Sequence, residues 1–262
     1  MNEKKPYILI TNDDGIDAPG IKHLWKSLHD KYDLVIVAPH SEKSGAGLST
    51  TLFKALHIFN VKWENNTPAY RVTGTPTDSV KIALSSILTR KPDMIVSGIN
   101  KGTNAGRSIL YSGTVGCVIE GALRNVPGIA FSCEELIDPN YSRTEKYIPY
   151  LVEHFLKNKM PFGTFINVTF PNKTLPIKGV KLARQGHGRW LENPAKRVHP
   201  EGHDYFWLGG EWKFYEEDHK DGDTHLLKEG YITAVPVSVA EMTDHQYLEK
   251  HKEDFEDFFK KI

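Results

Sequence analysis

Residues 7–39 read as a β-α-β unit, and this constrains the fold more than any other stretch. Tyr7–Thr11 is a short, apolar, β-branched run ending in Asn12-Asp13-Asp14-Gly15, the pattern of a buried strand running into a loop. Pro19 then opens a helix, a favoured place for proline. Ile21, Leu24, Trp25 and Leu28 follow at the i, i+3, i+4, i+7 spacing of a buried helical stripe. A second strand is expected over 34–38, stopped by Pro39. Two strands joined through a helix within about thirty residues lie parallel, with a right-handed crossover.

The alternation continues. Residues 41–77 are rich in Gly, Ser and Thr, and alternating runs near 55–61 and 69–72 flank Asn65-Asn66, which predicts a small antiparallel excursion. A helix is expected to begin at Asp78, with the stripe Val80, Ala83, Leu84, Ile87 and Leu88, and to stop before Pro92. A strand over 93–97, a Gly/Asn-rich loop and a helix from Thr114 with Val115, Val118, Ile119, Ala122 and Leu123 on one face come next. Strands are expected at 128–132 and 165–170, separated by a helix ending near Leu156 that Ser142 and Glu145 would open as a capping box. Strands alternating with helices predict an α/β, doubly wound, mostly parallel sheet.

Beyond Pro171 the pattern changes to a strand at 180–185, an aromatic and charged stretch without period over 186–230, and an alternating strand at 231–239. The last segment, 244–260, is an amphipathic helix carrying Tyr247, Leu248, Phe255, Phe258 and Phe259. No repeat or low-complexity linker interrupts this, so we expect one unit over 1–262, with a core over 7–185 and a C-terminal extension over 186–262.

Composition excludes several classes. Hydrophobic residues are 39% and charged residues 25%, which argues against global disorder. Lys plus Arg and Asp plus Glu are each 33, a formal net charge of zero, so no wholesale attraction to duplex nucleic acid or an anionic membrane is expected. No stretch approaches the ~20 apolar residues of a membrane span. Cys117 and Cys133 are too few for a disulfide framework or a four-cysteine zinc site. The first apolar run is too short for a signal peptide, and a cytoplasmic location is the expectation.

Ligands of such sheets bind at the carboxyl ends of the strands. There the sequence places Asn12-Asp13-Asp14, then His40-Ser41-Glu42-Lys43-Ser44-Gly45, then Gly98-Ile99-Asn100-Lys101-Gly102. Adjacent carboxylates repel unless a cation neutralises them. Two carboxylates, a hydroxyl and an amide oxygen suit Mg2+ or Mn2+ better than zinc. The plainer reading is that Asp13 orders the turn into the first helix and Asp14-Gly15 is a tight turn. Two helix starts, at Thr75-Pro76-Thr77-Asp78 and at Ser112-Gly113-Thr114, offer free N–H groups for phosphate. Ordinary capping by Thr77 or Ser112 is the alternative, preferred for the first start, with phosphate contact preferred for the second.

Taken together, ILITNDDGIDAPGI (8–21), VIVAPHSEKSGAG (35–47), VTGTPTDSVKIAL (72–84), MIVSGINKGTNAG (94–106) and YSGTVGCVIEGAL (111–123) resemble the SurE family of stationary-phase survival proteins. GYITAVPVSVAEMTD (230–244) is similar to that family's late strand and following loop. The resemblance implies a metal-dependent phosphatase that hydrolyses nucleoside 5′-monophosphates, extending in the family to 3′-monophosphates and polyphosphate. It implies one divalent cation, Mg2+ or Mn2+, held by Asp13, Asp14, Ser44 and Asn100, and a C-terminal arm exchanged between subunits of a homodimer or homotetramer. Two departures stand out. Thr77 and Ser79 occupy positions that usually carry a small residue and a cysteine, and Gly106-Arg107-Ser108-Ile109-Leu110 replaces a loop that commonly carries an acid.

The expected chemistry is attack on phosphorus by a water activated at Asp13 and Asp14, with Gly45, Asn104, Ser112, Gly113 and Thr114 cradling the phosphate. No role is assigned to His40, His187 or His203. Three alternatives stand beside this reading. A phosphatase with an aspartate nucleophile has only Asp221-Gly222-Asp223-Thr224 at the required spacing, and this reads as a solvated turn. A dinucleotide enzyme has only the incomplete Gly45-Ala46-Gly47 fingerprint. A non-enzymatic nucleotide sensor on the same fold is the third. Trp207, Trp212, Phe214 and Tyr215 fit core, a nucleobase cleft or a subunit interface, with the interface preferred.

Overall fold

The structure is a computed structural model that describes residues 5–215 and 219–260. In chain order it comprises β1 (Tyr7–Thr11), α1 (Pro19–Leu28), β2 (Asp33–Pro39), β3 (Ile58–Val61), β4 (Ala69–Val72), α2 (Pro76–Ile82), β5 (Met94–Lys101), α3 (Gly113–Leu123), β6 (Gly128–Cys133), α4 (Ile148–Lys157), β7 (Thr164–Phe170) and β8 (Gly179–Leu182). There follow β9 (Arg189–Leu191), β10 (Ala195–Val198), β11 (Asp204–Trp207), β12 (Glu211–Lys213), α5 (Asp223–Lys228), β13 (Tyr231–Ser238) and α6 (His245–Phe259).

A nine-stranded sheet runs β3-β4-β2-β1-β5-β6-β7-β13-β8. Its central strands are parallel, and β3–β4 and β7–β13 are the antiparallel pairs. Side chains alternate across a strand, and β1 shows the consequence. Ile8 and Ile10 join one core with Leu24 and Trp25 of α1 and Val152 of α4. Leu9 joins another with Val80 of α2 and Val115 and Val118 of α3. Both faces are covered, which is why the strands read as continuous apolar runs.

The expected excursion is the β3–β4 hairpin. Three local expectations are corrected. The helix placed at Asp78 begins at Pro76, capped by Thr75 in a reciprocal box with Asp78, because Pro76 is already suited to the first helical turn. Thr77 is buried one residue inside, not a cap. Ser142 and Glu145 form no capping box, since residues 141–143 are a 3-10 turn and α4 starts only at Ile148 without a side-chain cap. Glu145 instead pairs with His23 and, at 3.2 Å, with Lys26 of α1.

The aperiodic stretch contains two small antiparallel ladders, β9–β12 and β10–β11, and the short α5. β13 lies inside the central sheet between β7 and β8, although it falls beyond the expected boundary near residue 185. α6 has no buried residue, and Tyr247, Leu248, Phe255, Phe258 and Phe259 are all exposed. Among the described residues, no helix is long and apolar enough to cross a membrane.

Candidate active site

β1, β2 and β5 are neighbours in the sheet and parallel, so the loops leaving their carboxyl ends open on one edge. A cavity of about 360 Å³ lies there, lined by Asp13, Ser44, Gly45, Asn100, Asn104 and Ser112 of the residues expected from sequence. Asp14, Gly113 and Thr114 do not line it themselves but adjoin Asp13 and Ser112, which do. A larger cavity of about 600 Å³, bordered by Pro6, Pro92, Pro127 and Gly163, sits at the amino ends of β1, β5, β6 and β7, away from the acid pair.

A register shift in β5 helps aim Asn100. Ser97 pairs with Ala130 of β6, but Asn100 pairs with Ser132, so β5 spends one extra residue and is bent as a bulge bends a strand. Gly98 sits at φ +130 in this bulge, where a Cβ would lie 2.4 Å from the Phe131 carbonyl oxygen. The Asn100 amide nitrogen donates to the Gly102 carbonyl at 2.8 Å, which leaves its amide oxygen to face a ligand.

Asp13 is held against the start of α3. The Thr114 hydroxyl donates to its Oδ1, and a Cβ on Gly113 would lie 2.8 Å from Asp13 Cβ and 2.9 Å from its Oδ2. Glycine is therefore required there by close approach. The Lys43 N–H donates to the Asp13 carbonyl at 2.7 Å, tying the β1 and β2 loops together. Ser112 caps α3 by accepting from the Val115 N–H at 3.1 Å, so its hydroxyl proton stays available to an acceptor in the cavity.

The electrostatics point the same way. Burial raises the Asp13 pKa despite the Thr114 hydrogen bond. Asp14 is pushed up to about 6, first by burial and then by the Asp13 charge, against the opposing pull of Lys101. Asp14 Oδ1 is buried without a hydrogen-bond partner, as is the Asn104 amide nitrogen. An orphaned carboxylate oxygen beside a second carboxylate is a cost that a cation removes, and an orphaned buried donor suits an anion. Ser44 donates to Glu42 Oε1 at 2.8 Å, which leaves its oxygen lone pairs free. These oxygens fit a hard divalent cation.

Sequence reasoning passed over several neighbours. Glu42 receives Lys101 Nζ at 3.1 Å as well as Ser44, and these hydrogen bonds hold its pKa below the ordinary value. Both are adjacent to or near residues already singled out, so the loop pattern contained them. Trp190 and Glu134 also line the cavity and continue into a second one of about 190 Å³ with Trp212 and Phe214. Trp190 comes from the aperiodic stretch, where no pattern marks it.

The aromatic set divides accordingly: Trp212 packs edge-on against Trp190 at 5.9 Å between centroids, while Trp207 is exposed. The Asp221-Gly222-Asp223-Thr224 reading is corrected. Asp221 is exposed and pairs with Arg184, but Asp223 is only 1% exposed and accepts from the Gly106 N–H at 3.0 Å, Gln185 Nε2 at 2.9 Å and the Gly186 N–H at 2.9 Å. It clamps the segment leading into α3 onto the extension, a structural duty that spacing alone does not reveal. Arg107 belongs to the same segment and donates its backbone N–H to Gly188 at 2.7 Å.

Known proteins match this chain over most of its length. Residues 8–192 match the family model described as Survival protein SurE. The chain is 49% identical over 257 residues to the 5′-nucleotidase SurE of Protochlamydia amoebophila, covering 97% of this chain and 98% of that one. It is 41% identical over 253 residues to the 5′-nucleotidase SurE of Christiangramia forsetii, covering 95% and 96%. The crystal structure of the SurE protein from Aquifex aeolicus superposes with a TM-score of 0.80 at 32% identity, covering 95% of this chain and 99% of that one. The mostly parallel α/β sheet, the loops at its carboxyl edge and these matches together make the chain a member of the SurE family.

Proposed function

We propose that this protein is a 5′-nucleotidase that uses a divalent cation and water to release phosphate from nucleoside monophosphates. The observation that carries the reading is the meeting of Asp13, Ser44, Asn100, Asn104 and Ser112 on one cavity at the carboxyl edge of the sheet. The names of the relatives support the same activity.

Asp13, Asp14, Ser44 and Asn100 are the residues that would hold the cation. When bound, such an ion polarises a phosphoryl oxygen and acidifies water. The protein supplies the rest. Thr114 fixes the carboxylate of Asp13, so its lone pairs are aimed before substrate arrives. Asn104, Ser112 and the Gly113 N–H donate to the phosphate oxygens, aided by the partial positive charge at the start of α3. Gly45, at φ +73 with open space where a Cβ would lie, lets the phosphate approach the backbone. The nucleoside then extends along Trp190 and Glu134 towards Trp212 and Phe214, where an aromatic face stacks on a base.

The exposed apolar face of α6 and the exposed Phe206 and Trp207 of β11 support self-association as a homodimer or homotetramer, with the C-terminal arm exchanged between subunits. Light scattering at micromolar concentration tests this, and a monomeric mass would refute it. A cytoplasmic setting completes the reading, in keeping with the two free, buried cysteines.

The direct experiment is phosphate release from 5′- and 3′-mononucleotides and polyphosphate, with Mg2+, Mn2+ or EDTA. Release from 5′-monophosphates that EDTA abolishes is the expected result. Tight nucleotide binding without turnover in any metal would favour a sensor instead.

A further inference from the structure

The β10–β11 hairpin carries three metal-ligating side chains that the site at the sheet edge does not use. Val198 and Asp204 are the last ladder pair. Beyond them the turn closes with the His199 N–H donating to the His203 carbonyl and the Gly202 N–H donating to the His199 carbonyl, both at 2.8 Å. Gly202 takes φ +88, which reverses the chain. The two imidazoles are thereby stacked, 4.3 Å between centroids and 17° between planes. Glu201 lies between them in sequence, with its Oε2 3.8 Å from His199 Nδ1. One ligand atom from each of His199, Glu201 and His203 lies within 4.8 Å of the other two.

We propose that His199, Glu201 and His203 form a surface chelate for a borderline divalent transition ion, with zinc as the representative. Two imidazole nitrogens and one carboxylate oxygen are a recurrent zinc set with a fourth position left open. Imidazole selects such ions over Mg2+ and Mn2+, which favour oxygen. Tetrahedral zinc with bonds of ~2.0–2.1 Å spaces its ligand atoms about 3.4 Å apart. Rotation of three side chains that are at least partly exposed closes that gap without moving the backbone. The Glu201 N–H now donates to His199 Nδ1 at 3.2 Å, and coordination at that atom would return this exposed N–H to water. Asp204, the next acid along the chain, is engaged by Lys196 at 2.6 Å, which leaves the fourth position to water. The ion would pin the tip of a hairpin whose Phe206 and Trp207 are exposed. The protein would then sort its cations, hard ions to the acid pair and nitrogen-seeking ions to the hairpin.

The test is a calorimetric zinc titration of full-length protein carrying Asp13→Asn and Asp14→Asn, which removes the oxygen site. One zinc per chain is expected, not displaced by a large excess of Mg2+. Adding His199→Ala and His203→Ala should weaken binding by at least about tenfold. A parallel titration of the otherwise unaltered chain in saturating Mg2+, with and without the two histidine changes, should lose one equivalent and does not depend on the acid-pair variant folding. Zinc-edge absorption should report two imidazoles. No zinc uptake, or uptake unchanged without the histidines, overturns the proposal.

Discussion

Replacing Asp14 by Asn should stabilise the metal-free protein at neutral pH, against the usual effect of altering an active-site residue. Burial and the neighbouring Asp13 charge push the Asp14 carboxyl from 3.8 to about 6. A raised carboxyl pKa means that the native state holds the proton more tightly than the unfolded chain. The favourable contribution is therefore full below about pH 4 and is lost as pH rises through about 6. A shift of about two units corresponds to about 3 kcal/mol at 1.36 kcal/mol per unit. Asp14 is partly exposed, and solvent screening reduces this to about 1–2 kcal/mol. Asn keeps an oxygen that accepts from the Lys101 backbone and carries no charge.

The assay is urea unfolding of both proteins in EDTA between about pH 4 and about pH 8, read as the difference between them, so that titrations elsewhere largely cancel. The difference should be near zero at the acid end and favour the variant by about 1–2 kcal/mol above about pH 6.5. Saturating Mg2+ should invert the order, because ligand binding stabilises the wild type and the variant lacks a ligand oxygen. A difference independent of pH, or a more stable wild type in EDTA at neutral pH, would refute the claim that the fold stores repulsion between these acids.

Thr114→Val removes the hydrogen bond to Asp13 with little change in shape. A bond to a charged acceptor is worth about 1.5–3 kcal/mol, so kcat should fall about 10- to 100-fold in a phosphate-release assay, and wild-type turnover would refute the positioning role. Gly113→Ala forces a methyl against Asp13 and should depress kcat/KM more than it depresses the melting temperature, with the reverse pattern counting against it. Trp190→Ala should raise KM for nucleoside monophosphates by about tenfold, from ~1–3 kcal/mol of base stacking, and leave KM for a phosphate ester without a base unchanged. Asp223→Ala orphans the Gly106 and Gly186 N–H groups and should cost about 3 kcal/mol in urea unfolding; a loss under about 1 kcal/mol would mean that water replaces the clamp.

Much of this architecture is local information. A short continuous apolar run over Tyr7–Thr11, a period near 3.6 after Pro19 and the shortness of the connection already dictate a parallel pair with its loops on one edge. Asp13, Asn100 and Ser112 are legible for that reason, since they closely follow a strand, end one or start a helix, and Ser44 is legible as part of the loop that leaves β2. What local pattern does not encode is contact between distant segments. Thr114, which the sequence places at a phosphate-facing helix start, donates its hydroxyl to Asp13, because only the packing of α3 beside β1 decides which acceptor that hydroxyl meets. Asp223 reads in sequence as part of a solvated turn and is buried, because Gly106, Gln185 and Gly186 converge on it from 37 to 117 residues away. Trp190 reaches the cavity from a stretch without period, carried there by its ladder with β12. Spacing along the chain thus determined the layers and the edge where chemistry sits, whereas the identity of each group's partner awaited the tertiary structure, since hydrogen bonds and burial depend on distance in space.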